Sequence, residues 1–151
     1  GEESGVPIIR TMLKQMKNAT QELVIVDCPP GSACVVMESI LDVDYCILVT
    51  EPTIFGVHNL HMVKELVELF KKPYGVVINK CIDENNPAER FCLEERIPIL
   101  GKIPFDRQLG IWNSNTEIIS AIDENYRMQF LQLLQKVKEV ASDEAIADFE
   151  R

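Results

Sequence analysis

Tyr74-Gly-Val-Val-Ile-Asn79 is the stretch on which the fold turns. Its interior is apolar at consecutive positions, so neither face is marked for solvent. Three of the strands predicted in this chain are almost continuously apolar in this way and rich in Val and Ile. Such strands are buried on both sides, as in a parallel sheet covered by helices. Upstream, Ile54–Phe70 sets Leu60, Val63, Leu66, Val67 and Phe70 at helical spacing and reads as a long amphipathic helix. Before it, Asp44–Thr50 reads as a strand around the apolar run Cys46–Val49. Further back, Glu22-Leu-Val-Ile-Val-Asp27 reads as a first strand, followed by a Pro-Pro-Gly turn and a short helix near Ala33–Leu41. A helix over Pro7–Lys17, with Ile9, Leu13 and Met16 at helical spacing, precedes that strand. Downstream come a helix over Pro87–Glu95 and a fourth strand over Pro98–Ile103. The rest is helical, broken around Trp112–Thr116, and ends in a helix from about Asp123 to Val140 and a polar tail. Helical crossovers between successive strands require parallel pairing. The predicted fold class is therefore α/β: a doubly wound, mainly parallel sheet with helices on both faces. A single α/β domain is expected over 1–151, with a core at 22–112, C-terminal helices at 116–141 and a polar tail at 142–151.

Composition narrows the possible functions. Apolar residues make up 46% of the 151, with only 7 Gly and 8 Pro, which excludes disorder and low-complexity architecture. No apolar run approaches the ~20 residues of a membrane-spanning helix. Fifteen basic against twenty-four acidic residues give a net charge of −9, which argues against binding to nucleic acid or to an anionic membrane. The 5 cysteines (Cys28, Cys34, Cys46, Cys81, Cys92) are odd in number and form no CxxC pair. They read as reduced thiols of a cytoplasmic protein rather than a disulfide framework or a zinc site. Gly1–Gly5 is acidic and no apolar segment follows, so no signal peptide is expected.

Ligands of open α/β sheets bind outside the carboxyl ends of the strands. After the first predicted strand stands Asp27-Cys-Pro-Pro-Gly-Ser32. Asp27 can hold Mg²⁺ directly or through water, and Gly31 after the stiff prolines can turn its N–H to a phosphate oxygen. The plainer alternative is a turn whose Asp27 caps the next helix. After the second strand, Thr50-Glu-Pro-Thr53 opens the long helix, where Thr50 or Thr53 can simply be its cap. After the third come Asn79 and Lys80, with Asp83 close behind. An asparagine amide offers donor and acceptor side by side, as the edge of a purine requires. After the fourth, Ile103-Pro-Phe-Asp106 supplies a rigid wall at Pro104 and a possible helix cap at Asp106. His58 and His61 lie three apart on the long helix with no further ligand nearby, and read as solvated. Trp112 reads as a lid over core at a helix break, or as a flank of the pocket.

Taken in order, Val24-Ile-Val-Asp-Cys-Pro-Pro-Gly31, Ile47-Leu-Val-Thr-Glu-Pro-Thr53, Gly75-Val-Val-Ile-Asn-Lys80 and Ile99-Leu-Gly-Lys-Ile-Pro-Phe-Asp106 resemble the back half of a MinD/ParA/Mrp-type P-loop ATPase. This deviant-Walker group has a Rossmann-like, P-loop NTPase sheet. The resemblance covers roughly Glu22 to Trp112. It implies that Asp27 holds the Mg²⁺ shell through water and that Gly31, beside Pro30, is the switch glycine sensing the γ-phosphate. It further implies that Asn79, with Lys80, recognises adenine, that Pro104 and Phe105 pack beside the base, and that Pro52 lies in the loop after the next core strand. Gly1-Glu-Glu-Ser-Gly5 also resembles the segment after a ferredoxin-like insert in the iron–sulfur subgroup. The cofactors implied for the whole protein are ATP and Mg²⁺, with an iron–sulfur cluster possible in the missing segment. Its implied partners are nucleotide and a second copy in a homodimer.

The sequence departs from that family at the phosphates. No G-x-x-x-x-G-K-[ST] or K-G-G-x-G-K-T occurs, and the 7 glycines are isolated from one another. The chain therefore reads as a fragment whose first strand and phosphate loop precede Gly1, inactive alone and holding no cofactor tightly. Two alternatives stand beside this reading. One is a non-catalytic α/β interaction module. The other is a phospho-acceptor receiver domain using Asp27, Thr50 and Lys80, although Cys81 follows Lys80 where such domains carry proline.

Overall fold

A computed structural model describes residues 11–14, 20, 23–29 and 34–149. Its elements run α1 (Cys34–Ile40), β1 (Cys46–Thr50), α2 (Ile54–Leu69), β2 (Tyr74–Cys81), α3 (Pro87–Glu94), β3 (Ile99–Pro104), α4 (Arg107–Ser114), α5 (Ile119–Ile122) and α6 (Glu124–Phe149). Among the described residues the strands form one parallel sheet in the order β1-β2-β3. The fold is α/β with helical crossovers, as the unpatterned apolar strands require.

Local chemistry sets the helix starts. Thr53 caps α2 by accepting the Gly56 N–H at 2.9 Å, so the plainer reading of that threonine holds. Asn86 caps α3, accepting the Glu89 N–H at 3.0 Å while its own amide donates to the Glu89 carboxylate at 2.6 Å. Pro87 at the first helical position loses no hydrogen bond there.

Register places Cys46, Leu48 and Thr50 of β1 on one face with Tyr74, Val76 and Ile78 of β2. That face carries the core, in which Leu60 and Val67 of α2 and Ala88 and Cys92 of α3 join Leu48, Val76 and Ile78. On the opposite face α6 covers β3, meeting it at Gly101, which is registered with Val77. Cys28, Cys46, Cys81 and Cys92 are free thiols, and burial pushes Cys46 and Cys92 up to about 11.

Several sequence expectations need correction. Residues 23–29 have no regular structure, and Leu23, Val24 and Ile25 are 42%, 43% and 78% exposed, so the strand expected over Glu22–Asp27 is not formed among the described residues. A strand exists only by pairing, and no described strand pairs with this segment. Burial on both faces holds only for β2. Ile47 and Val49 of β1 are 45% and 65% exposed, because among the described residues β1 is an edge strand with helices on one face only. The last helix continues past Val140 to Phe149. Ala141–Phe149 contains neither Gly nor Pro and includes Ala141, Ala145 and Ala147, and alanine is the best helix former, so nothing in it ends the helix. Of the helix expected over Pro7–Lys17, residues 11–14 are helical and the rest lies outside the described residues. Among the described residues no helix is long and apolar enough to cross a membrane.

Candidate functional site

The three strands end together, and an open cleft of about 540 Å³ lies beyond them. Glu51, Pro52 and Thr53 bound it after β1, Lys80 and the 82–87 loop at the end of β2, and Phe105 after β3. The Phe105 N–H donates to Cys81 O at 2.8 Å, which ties the end of β3 to that of β2 and fixes the ring at the cleft. Phe105 and Ile82 are 53% and 76% exposed, so apolar surface is offered there to a ligand.

Polar groups frame this surface. Lys80 Nζ lies 2.6 Å from Glu51 Oε1, joining the β1 and β2 ends across the cleft. Both side chains are about half exposed, and such a pair contributes ~0–1 kcal/mol to stability. Lys80 and Asn85 have φ of 59° and 56°, left-handed values that few non-glycine residues adopt. The Lys80 N–H donates to Asn79 Oδ1 at 2.9 Å, which orients that carboxamide and leaves its NH₂ to donate elsewhere. Asn79 is half-buried near the end of β2 and is not among the residues lining the cleft.

The donor set favours an uncharged ligand part. Glu51, Asp83 and Glu84 outnumber Lys80, the one basic residue of the lining, and Lys80 is already paired. A triphosphate needs positive charge and clustered N–H groups, which this cleft does not supply. A flat heteroaromatic ring fits better, with Phe105, Ile82 and Pro52 for its faces and amide or carboxylate groups for its edge. Among the described residues no three His, Cys, Asp or Glu side chains converge to hold a metal ion.

Beside the cleft, Asp106 caps α4 by accepting the Gln108 N–H at 2.7 Å, and Tyr126 of α6 donates its hydroxyl to Asp106 Oδ2 at 2.7 Å. Trp112 meets Tyr126 edge-on, with ring centroids 6.4 Å apart, and does not line the cleft. The Tyr126 hydroxyl, then the Gln108 N–H, hold the Asp106 carboxyl below its ordinary value. A lowered folded-state pKa contributes stability that is complete above the unfolded value of 3.8 and lost as pH falls through the folded one. Acid titration below that value is expected to loosen the start of α4, read as a change in Trp112 fluorescence. Tyr126→Phe should move the midpoint up towards 3.8, and an unmoved midpoint would show that the hydroxyl does not hold Asp106.

Of the residues singled out by sequence, the structure brings Lys80, Asp83 and Phe105 to one cleft, with Pro52 and Thr53 opposite. Pro104 ends β3 immediately before Phe105. Asp27 is exposed on the irregular stretch 23–29 and does not line the cleft, while Pro30 and Gly31 lie outside the described residues. Thr50 is buried and Asp27 is not beside Lys80 in the lining, so the receiver-domain trio is not assembled there. His58 is exposed, and His61 lies 3.9 Å from Glu65 and edges towards Phe91. Sequence reading missed Glu51 as the partner of Lys80 and Tyr126 as the partner of Asp106. These pairs span 29 and 20 residues, and no local pattern signals them.

A parallel α/β sheet with a cleft at its strand ends is an architecture shared with solved proteins. The chain superposes on the MinD cell division protein of Aquifex aeolicus with a TM-score of 0.73 at 17% identity, covering 87% of this chain and 59% of that one. It superposes on the cell division ATPase MinD of Pyrococcus furiosus with a TM-score of 0.72 at 20% identity, covering 87% and 57%. The chain thus has the MinD fold. No protein-family model matches it. Two curated proteins of Methanocaldococcus jannaschii are similar in sequence, the uncharacterized proteins MJ0578 and MJ0579. The first is 29% identical over 128 residues (83% of this chain, 46% of that protein) and the second 29% identical over 110 residues (72% and 37%). The chain spans less than half the length of these curated relatives.

Proposed function

We propose that this chain is the base-recognising and switch-bearing part of a MinD/ParA-like, Mg²⁺-dependent ATP-binding ATPase. The cleft at the joined ends of β1, β2 and β3 carries this reading, because its apolar walls and polar rim suit a base while its acidic surplus does not suit phosphates. The phosphate-holding loop then belongs to a part of the protein outside this sequence. Exposure of Ile47 and Val49 on β1 and of Leu23–Ile25 supports a sheet that continues in the whole protein. In this reading Asn79 pairs with the adenine edge, Lys80 and Phe105 hold the base, and Pro104 fixes the wall behind it. Asp27 faces the Mg²⁺ shell and Gly31, next to Pro30, meets the γ-phosphate. When bound, Mg²⁺ neutralises charge on the phosphates. The whole protein works as a homodimer in the cytoplasm. An iron–sulfur cluster rests on Gly1–Gly5 alone, which lies outside the described residues.

The test is made on the whole protein carrying its phosphate loop. Asn79→Ala is expected to weaken ATP binding by about 1–3 kcal/mol, the cost of an unpaired buried polar partner, and to reduce preference for ATP over GTP. Asp27→Asn is expected to lower Mg²⁺-dependent turnover far more than nucleotide affinity. Equal losses for both nucleotides would remove the base-reading role of Asn79. Unchanged turnover would remove the Mg²⁺ role of Asp27.

A further inference from the structure

Among the described residues no strand pairs with the outer edge of β3, and side chains of α6 reach it. The Val76 N–H donates to Pro98 O at 2.8 Å, and register pairs Val76 with Ile99 and Ile78 with Lys102. Val76 and Ile78 stand two apart on β2 and turn their backbone groups the same way, and a register shift between Val76 and Val77 sets one extra residue of β3 between their partners. The N–H and C=O of both Ile99 and Lys102 therefore point away from β2. Both carbonyls accept from α6: Lys136 Nζ donates to Ile99 O at 2.8 Å and Gln129 Nε2 to Lys102 O at 3.1 Å. The spacings match. Seven helical residues rise ~10.5 Å, and three strand residues rise ~10 Å. The helix therefore runs antiparallel to β3. Leu133, between the two donors, rests on Gly101, where a Cβ would lie 3.3 Å from Leu133 Cδ1.

Outward carbonyls on an edge strand are what an added strand would use, and a bare edge invites pairing between copies. The geometry points to a sealing role: Gln129 and Lys136 occupy the acceptors of β3 and block edge-to-edge addition of a second copy of this chain. The role is independent of nucleotide binding.

Gln129→Met with Lys136→Met keeps side-chain length and helix propensity while removing both donors. The double variant is expected to keep its far-ultraviolet circular dichroism and to reach roughly doubled mass or more in light scattering as concentration rises. Hydrogen exchange at the Ile99 and Lys102 amides, which face the same edge, is expected to slow in the associated form. A folded variant at the mass of the original chain overturns the inference, as does association that leaves those two amides exchanging as before. Should the double variant not fold, Lys136→Met alone carries both readouts, and Lys136→Arg, which restores a donor, is expected to behave as the original.

Discussion

Ile78→Ala is expected to lower the unfolding free energy by about 2–5 kcal/mol, since truncating a fully buried isoleucine loses transfer energy and leaves a cavity. Ile78 is 0% exposed, lies near the centre of β2 and belongs to the buried core shared with residues of α2 and α3. Both neighbouring strands are hydrogen-bonded to β2, so local collapse into the cavity is hindered. A loss near 3 kcal/mol would lower Tm by roughly 10 °C in a domain of this size. Val49→Ala, on the exposed face of β1, is the matched control. Its loss should stay below about 1 kcal/mol. Equal effects at the two positions in urea denaturation would contradict the placement of the core.

Gly56→Ala is expected to cost about 1–3 kcal/mol through overpacking, and its consequence reaches the cleft. A Cβ on Gly56 would lie 2.3 Å from Glu51 O and 3.0 Å from Thr50 Oγ1. The first contact is with backbone, so the loop after β1 must move. Glu51 is then drawn from Lys80, its partner at 2.6 Å. Chemical shifts at Lys80 and Asn79 should change along with stability. Gly110→Ala separates this packing argument from propensity. Nothing lies within 4 Å of a Cβ at Gly110 in α4, and alanine there should stabilise by about 0.5–1 kcal/mol. Loss of stability at Gly110, or none at Gly56, would contradict the argument.

These residues also mark what the sequence could and could not convey. β2 was legible because four consecutive buried residues, Gly75 to Ile78, leave no polar face to misread. The caps at Thr53 and Asp106 were legible because capping depends on residues two or three positions away. Leu23–Ile25 carries the same apolar signal as β1, yet forms no strand among the described residues, since a strand also needs an edge to pair with. Ile47 and Val49 misled for a related reason: apolar side chains on an edge strand are covered only if another element reaches them. At the site, the order of strand ends brought Lys80, Asp83 and Phe105 to one cleft. The left-handed backbone at Lys80 had no signal, because lysine has no preference for it.

The central claim is that the cleft receives a base and not phosphates. Titrating the chain with adenosine while recording amide and side-chain chemical shifts tests it most directly. Adenosine is expected to shift Glu51, Lys80, Asp83 and Phe105, with guanosine weaker, and ATP should bind no more tightly than adenosine, because the acidic lining gains nothing from the phosphates. ATP binding far more tightly than adenosine at this cleft, or adenosine shifting residues elsewhere while these four stay unmoved, would contradict the account.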